Sequence, residues 1–423
     1  MKKKYPLNPT MIIPAIVVMT TWLGLIRNNI SIHFGGVVFF GVSCAVMVLS
    51  LFPFKFYIKI DKRPYIESLV ALTIFSVLYG TLSFLYKSGP FTMMMGFRIP
   101  VFTYNIILNY PIWIANYIII IRSTSETRKR IISIYLWMLL YDVIVTFIAL
   151  GVDESFSKNN AAGIIDESSY VLSNIGAMGY ELIYCLTIIV PTLFYIGFIR
   201  KKKIAIALFF CSLILVYKSA FLIATVALLF NIILSLILEI KNKHLKILLI
   251  LIVLVVTIVL VINPYNLGLI LNEVARYIKI PELQLRVNQL SKLFMYGDHS
   301  GASLKRFDLY LLSLNGIKDS PILGQLLFDN YYFLSEHSTI LDIWAAFGIL
   351  PLSIFCYSIY RIYSNTRKIL ISDRAVLNIN KAALATFFLI SITNPILSSP
   401  LVMLTELIIM PLFMEFCTRA NHD

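Results

Sequence analysis

Charge is what this 423-residue chain has least of: 14% of its residues are Asp, Glu, Lys or Arg, against about 25% in soluble domains. With 59% hydrophobic residues and a mean hydropathy of +0.84, a soluble globular domain is excluded. Cysteine is scarce too, and Cys44, Cys185, Cys211, Cys356 and Cys417 all fall inside apolar runs, where cysteine acts as a small hydrophobe. That placement excludes a disulfide framework and a zinc pattern. The chain also lacks a Walker loop, a dinucleotide fingerprint and a DxD-like acidic pair, so no metal or cofactor is expected. Lys2, Lys3 and Lys4 precede an apolar run, but Pro6, Pro9 and Pro14 interrupt it and no small-residue cleavage site follows. The run reads as an uncleaved first span.

What is present is a series of apolar stretches long enough for membrane-crossing helices, each of which must satisfy its own backbone hydrogen bonds in lipid. We read about 12 spans: Thr10 to Ile26, Phe34 to Phe54, Tyr65 to Tyr86, Ile99 to Ile121, Ile131 to Leu150 and Gly176 to Ile199. The rest are Ile204 to Tyr217, Phe221 to Leu238, Ile247 to Ile262, Ser338 to Tyr360, Ala382 to Ile396 and Pro400 to Phe416. The expected fold is therefore an all-α polytopic membrane protein, residues 1–423 forming one membrane domain.

The net charge of +14 invites a nucleic-acid reading, but its placement argues for topology. Basic tracts alternate with loops that hold few basic residues: Lys55, Lys59, Lys62 and Arg63; Arg122 and Arg128 to Arg130; Arg200 to Lys203; Lys241, Lys243 and Lys246. The intervening loops hold Arg27, Lys87, Arg98, Lys158 and Lys218. By the positive-inside rule both termini are cytoplasmic. The one long polar segment, 263–336, then forms an extracytoplasmic loop, and Leu269 to Ile280, Glu282 to Met295 and Ser303 to Ile317 within it read as short amphipathic helices. Basic amphipathic helices lie in the plane of lipid head groups, so membrane lipids are expected partners and nucleic acid is not.

Candidate chemistry gathers around this segment. Lys218, between the seventh and eighth spans, is either a lysine snorkelling to the interface or a cation for a lipid-linked phosphate. Arg306, one turn before Tyr310, can grip phosphate oxygens bidentately; Arg276 and Arg286 are further candidates of the same kind. His337 ends the segment, and with an ordinary histidine pKa of about 6.5 it suits general-base work on a hydroxyl. Glu336 and Asp342 flank it and can orient the ring. Asp142, Glu181 and Glu406 lie within spans, where carboxylates suggest ion or proton pathways.

Three motifs in order resemble the O-antigen polymerase and ligase superfamily, which includes Wzy-type capsular and exopolysaccharide repeat-unit polymerases. Tyr217-Lys218-Ser219-Ala220 stands where the family has Ser-Arg-small-Ala, so a point charge replaces a guanidinium fork. Arg306 followed by Ser320-Pro321-Ile322-Leu323-Gly324 matches an arginine, an amphipathic helix and a Pro-Leu-Leu-Gly-like turn. His337-Ser338, then Phe347-Gly348-Ile349-Leu350-Pro351, matches the last motif. The resemblance, spanning about Cys211 to Tyr360, implies a GT-C-like glycosyltransferase. Its substrate class is undecaprenyl-pyrophosphate-linked oligosaccharide at the outer leaflet. It implies that Lys218, Arg306, Arg286 and Arg276 are candidates to hold pyrophosphate, that Tyr310 and Glu336 support the site, and that His337 deprotonates the acceptor without a metal. A flippase and a chain-length regulator are the partners it implies. Two alternatives are a ligase moving finished polymer to another acceptor, and a flippase built around Asp142, Glu181 and Glu406.

Overall fold

The computed structural model describes residues 9–51, 63–85, 91–94, 97–154, 156, 167–298, 302–325, 337–369 and 374–419. The chain begins with α1 (Pro9–Trp22), α2 (Gly24–Leu51) and α3 (Arg63–Leu85), followed by a two-stranded antiparallel hairpin of β1 (Phe91–Met94) and β2 (Phe97–Pro100). Next come α4 (Val101–Arg122), α5 (Ser125–Val152), α6 (Glu167–Asn174), α7 (Tyr180–Phe194), α8 (Lys203–Lys218), α9 (Leu222–Glu239) and α10 (Lys243–Ile262). The long polar segment holds α11 (Pro264–Tyr277), α12 (Pro281–Tyr296) and α13 (Ala302–Asp319). The chain closes with α14 (Thr339–Phe347), α15 (Ile349–Ile369), α16 (Arg374–Thr393), α17 (Pro400–Leu404) and α18 (Met410–Arg419).

The fold is thus overwhelmingly helical, and the expected apolar stretches are mostly helix where described, with breaks at Leu23, Gly176 to Gly179, Gly348 and Asn394-Pro395, and with Ile99 and Pro100 in β2. Among the described residues, five helices are long and apolar enough to cross a membrane by themselves, or six if the bent pair Ile12–Trp22 and Gly24–Gly35 is one span.

The expected spans are corrected at several places, two of them with a clear cause. The segment 27–33, expected as a loop, is helix, set 64° from α1. Its donors explain why: Asn28 Nδ2 bonds the carbonyls of Ser173 and Ala177, and Asn29 Nδ2 that of Asn174, satisfying the break between α6 and α7. Gly35, at φ +74°, then redirects the chain. The expected span Ser338 to Tyr360 is broken at Gly348, with φ +80°.

The centre of the bundle is α7, against which α8, α9, α16 and α17 pack. Buried Ala205, Ala224, Ala227, Ala382 and Ala383 let backbones approach closely, the usual way for helices to pack in lipid. Pro191 has no N–H, so the Thr187 carbonyl one turn earlier loses its helical partner. Asn231 of α9 supplies the missing donor, its Nδ2 lying 2.7 Å from Thr187 O and 3.0 Å from Ile188 O. Asn231→Leu is expected to cost about 1 kcal/mol, read as a lower unfolding temperature in nanodiscs.

Basic side chains tie helices together at one end of the bundle, two of them through carbonyls at helix C-termini. Arg122 of α4 donates to Ser50 O of α2, Arg200 to Cys417 O of α18, and Arg361 of α15 pairs with Glu67 of α3. The partial negative charge of helix C-termini favours cations there. The opposite end gathers the starts of α7, α9, α14 and α17 and the ends of α5, α8 and α16, and it includes the Arg27–Glu181 pair and the Asp342 carboxylate.

Candidate functional site

At that second end, the break between α16 and α17 is the node. Its sequence, Thr393-Asn394-Pro395, stops α16 because the residue before proline is pushed out of helical geometry. The carbonyls thus freed are taken up by other elements. Tyr310 of α13 donates its hydroxyl to Thr393 O at 2.7 Å. The Thr339 N–H, at the start of α14, donates to Asn394 O at 3.1 Å. Asn394 also accepts from the Tyr184 hydroxyl of α7 through Oδ1 at 2.9 Å and donates through Nδ2 to Thr393 Oγ1 at 3.0 Å. Asn394 is buried, so these three polar contacts of its own fix α7, α14 and the end of α16 around one residue.

His337 enters this knot as the residue before the N-cap of α14, and it is half-buried. Ser338 caps the helix, its Oγ accepting from Leu341 N at 3.0 Å. Asp342 then holds the turn from below. Its Oδ2 accepts from Ser338 N at 3.2 Å, and its Oδ1 accepts from Ser313 Oγ of α13 at 2.6 Å. The backbone carrying His337 is therefore braced from α13, α14 and the α16–α17 break.

The two later motifs dock on one another. Gln325 N donates to Ala345 O at 2.9 Å, Ile349 N to Ile322 O at 3.1 Å, and Trp344 Nε1 to Pro321 O at 2.8 Å. Such close approach requires glycine on both sides. A Cβ on Gly324 would lie 2.5 Å from Ala346 O, and one on Gly348 2.0 Å from Ile322 O. Gly348→Ala is expected to destabilise the protein by about 2 kcal/mol through its positive φ, with the clash adding to it; thermal unfolding reads the loss.

The Lys218 turn reaches the knot indirectly. Ala220 has φ +55°, a left-handed conformation uncommon outside glycine, and this turn directs Phe221 inward. The Phe221 ring lies 6.4 Å from that of Tyr184, whose hydroxyl bonds Asn394. Lys218 itself is exposed, and its Nζ sits 5.4 Å from the Phe147 ring centroid.

The other sequence candidates divide. Arg276 pairs with Glu273 at 2.9 Å and Arg286 with Glu282 at 3.1 Å, both within the α11–α12 hairpin and with no contact to the knot. Arg306 lies on α13 one turn before Tyr310, but its side chain and the whole of Glu336 are outside the described residues. Of the carboxylates in spans, Glu181 is paired with Arg27 at 2.6 Å. Asp142 Oδ1 accepts from Gly24 N at 3.1 Å, capping α2 at its elbow. Glu406 is buried in a π-helical turn, Thr405–Ile409, with Oε2 unpartnered among the described residues. No group of three His, Cys, Asp or Glu side chains that could hold a metal occurs among the described residues.

Sequence reasoning missed Tyr184, Ser313 and Asn394. The signal for Asn394 was available, since an Asn-Pro pair sits inside the expected span Ala382 to Ile396 and ends its helix at Thr393. Tyr184 and Ser313 carry no such mark, because each is one polar residue on an otherwise ordinary helix. No family model and no curated protein matches this chain.

Proposed function

We propose that the chain is a polysaccharide polymerase of the outer leaflet, a GT-C-like glycosyltransferase with twelve spans and both termini in the cytoplasm. It joins undecaprenyl-pyrophosphate-linked oligosaccharide repeats. The observation that carries the reading is the knot itself: the His337 turn, Tyr310 and the Phe221 side of the Lys218 turn converge on Asn394 and Tyr184 at one end of the bundle. Basic tracts tie the other end, which by the positive-inside rule is cytoplasmic, so the knot faces outward.

In the proposed reaction His337 removes the proton from an acceptor sugar hydroxyl. That oxygen attacks the donor's anomeric carbon, the bond to pyrophosphate breaks, and polyprenyl pyrophosphate leaves. Its growing negative charge needs fixed cations, which Lys218 and Arg306 supply. Arg276 and Arg286, turned to acids of their own hairpin, are the weaker candidates. Asp342 acts through the backbone, keeping the His337 turn in place.

The test is reconstitution of the purified protein with lipid-linked repeat units and separation of products by length. Chains of several repeats support the reading, and repeats left at their starting length under turnover conditions overturn it. A deletion strain separates the alternatives: single repeats held on the inner leaflet indicate transport, and long chains stranded on the lipid carrier indicate a ligase.

A further inference from the structure

The α11–α12 hairpin has an unpartnered face, and its attachment to α10 says what covers it. α10 has 20 residues, a length of about 30 Å; Lys243, His244 and Lys246 open it and the run from Ile247 to Ile262 is apolar apart from Thr257, so with its basic first turn at the head groups it is long enough to cross a hydrocarbon core. Of its described side chains, Leu248, Ile250, Leu251, Ile252 and Val255 are exposed. A helix that is apolar all round belongs in lipid. It ends at Ile262, and a single residue later α11 begins: Asn263 caps it, accepting from Asn266 N, and Pro264 takes the first helical position. The hairpin therefore starts where the chain leaves the bilayer.

The two helices grip each other through small residues and polar ties. Ser291 Oγ donates to Gly268 O at 2.7 Å, and Gln284 Nε2 to Ala275 O at 3.0 Å. A Cβ on Gly268 would fall 2.3 Å from Met295 Cγ, so only glycine permits the approach. With Gly268 and Ala275 turned to α12, the far side of α11 carries Ile270, Val274 and Tyr277, spaced four and three apart. They are 51%, 47% and 77% exposed, which is costly in water. Tyr265 on α11 and Tyr296 on α12 are exposed as well. So are Lys279 and Lys292. Aromatic rings with a polar tip and long basic chains are the residue types that settle at the head-group boundary.

We propose that the α11–α12 hairpin lies in the outer head-group region of the bilayer, with Ile270, Val274 and Tyr277 sunk toward the acyl chains and Lys279 and Lys292 reaching up to lipid phosphate. Its occupant is bulk bilayer lipid. The seat does not depend on which reaction the protein performs. Because α12 packs on α13 and α13 on α14, the lipid surface is mechanically continuous with the elements that carry Tyr310 and the His337 turn.

The test places an environment-sensitive fluorescent amino acid at Val274, and separately at Ile270, in the full-length protein in nanodiscs. Lipids brominated in the upper acyl chain are expected to quench its emission about twofold, while aqueous iodide leaves it nearly unchanged. Iodide quenching without bromine quenching would place the face in water and overturn the proposal. Emission immune to both quenchers would mean that protein covers the face, and overturns it equally. Because each probe reports from a folded chain, a Val274→Asp variant serves as a second reading: it is expected to raise iodide quenching of the Ile270 probe.

Discussion

Under the proposed mechanism, His337→Ala is expected to lower chain growth by about 10²–10⁴-fold, the usual contribution of a positioned general base, while the protein remains folded. The fold is expected to survive because the turn is held by neighbours of His337: Ser338 through its Oγ and N–H, and Thr339 through its N–H to Asn394 O. Reconstituted enzyme with lipid-linked repeats measures the rate, and the unfolding temperature in nanodiscs serves as the control. Asp342→Asn gives a contrasting result. It weakens the brace on Ser338 N while leaving the imidazole in the chain, so a partial loss of rate is expected, smaller than that of His337→Ala. Equal chain growth in His337→Ala and the parent would remove the residue from the reaction and leave it a part of the N-terminal turn of α14.

Arg27→Met is expected to destabilise the protein by about 3 kcal/mol, because it leaves the largely enclosed Glu181 without its cation. The two side chains are 13% and 14% exposed and 2.6 Å apart, so little water is available to replace the lost partner. The double variant Arg27→Met with Glu181→Met is expected to recover most of that loss, since a buried ion pair replaced by apolar groups of similar size is often neutral. Thermal unfolding of the single and double variants measures both. The same pair of variants bears on transport. If Glu181 carries protons, the double variant is stable but inactive; if Glu181 only anchors the α2 elbow to α7, the double variant keeps its activity. A single variant as stable as the parent would show that the pair does not hold the elbow.

Much of the helical content was legible because lipid leaves few choices. A backbone in hydrocarbon must satisfy its own hydrogen bonds, so an apolar run is a helix almost wherever it occurs. The amphipathic helices of the long polar segment were legible by their spacing and appear as α11, α12 and α13. The breaks were harder to read. The helix through Arg27 depends on the carbonyls of Ser173, Asn174 and Ala177, which lie more than a hundred residues away in sequence. The interruption at Gly348 depends on Ile322 O, which approaches closely enough to forbid a Cβ.

For the site, the sequence singled out residues by charge and order, and the structure sorted them by partner. Arg276 and Arg286 carry the same charge as Arg306, but their own acids lie three or four residues away. Glu181 looked like an isolated carboxylate until Arg27 was found beside it. Asn394 has no charge and so drew no attention, although it binds α7 and α14 and stands next to the carbonyl that receives Tyr310.

By itself the sequence determined the helical character of the chain, its affinity for the membrane and the segregation of its basic tracts, because hydropathy and charge act locally and need no partner. Only the tertiary structure decided which polar groups meet. A buried hydrogen bond or ion pair is defined by two residues, and for Tyr184, Asn394, Arg27 and Glu181 the second lies on a distant helix.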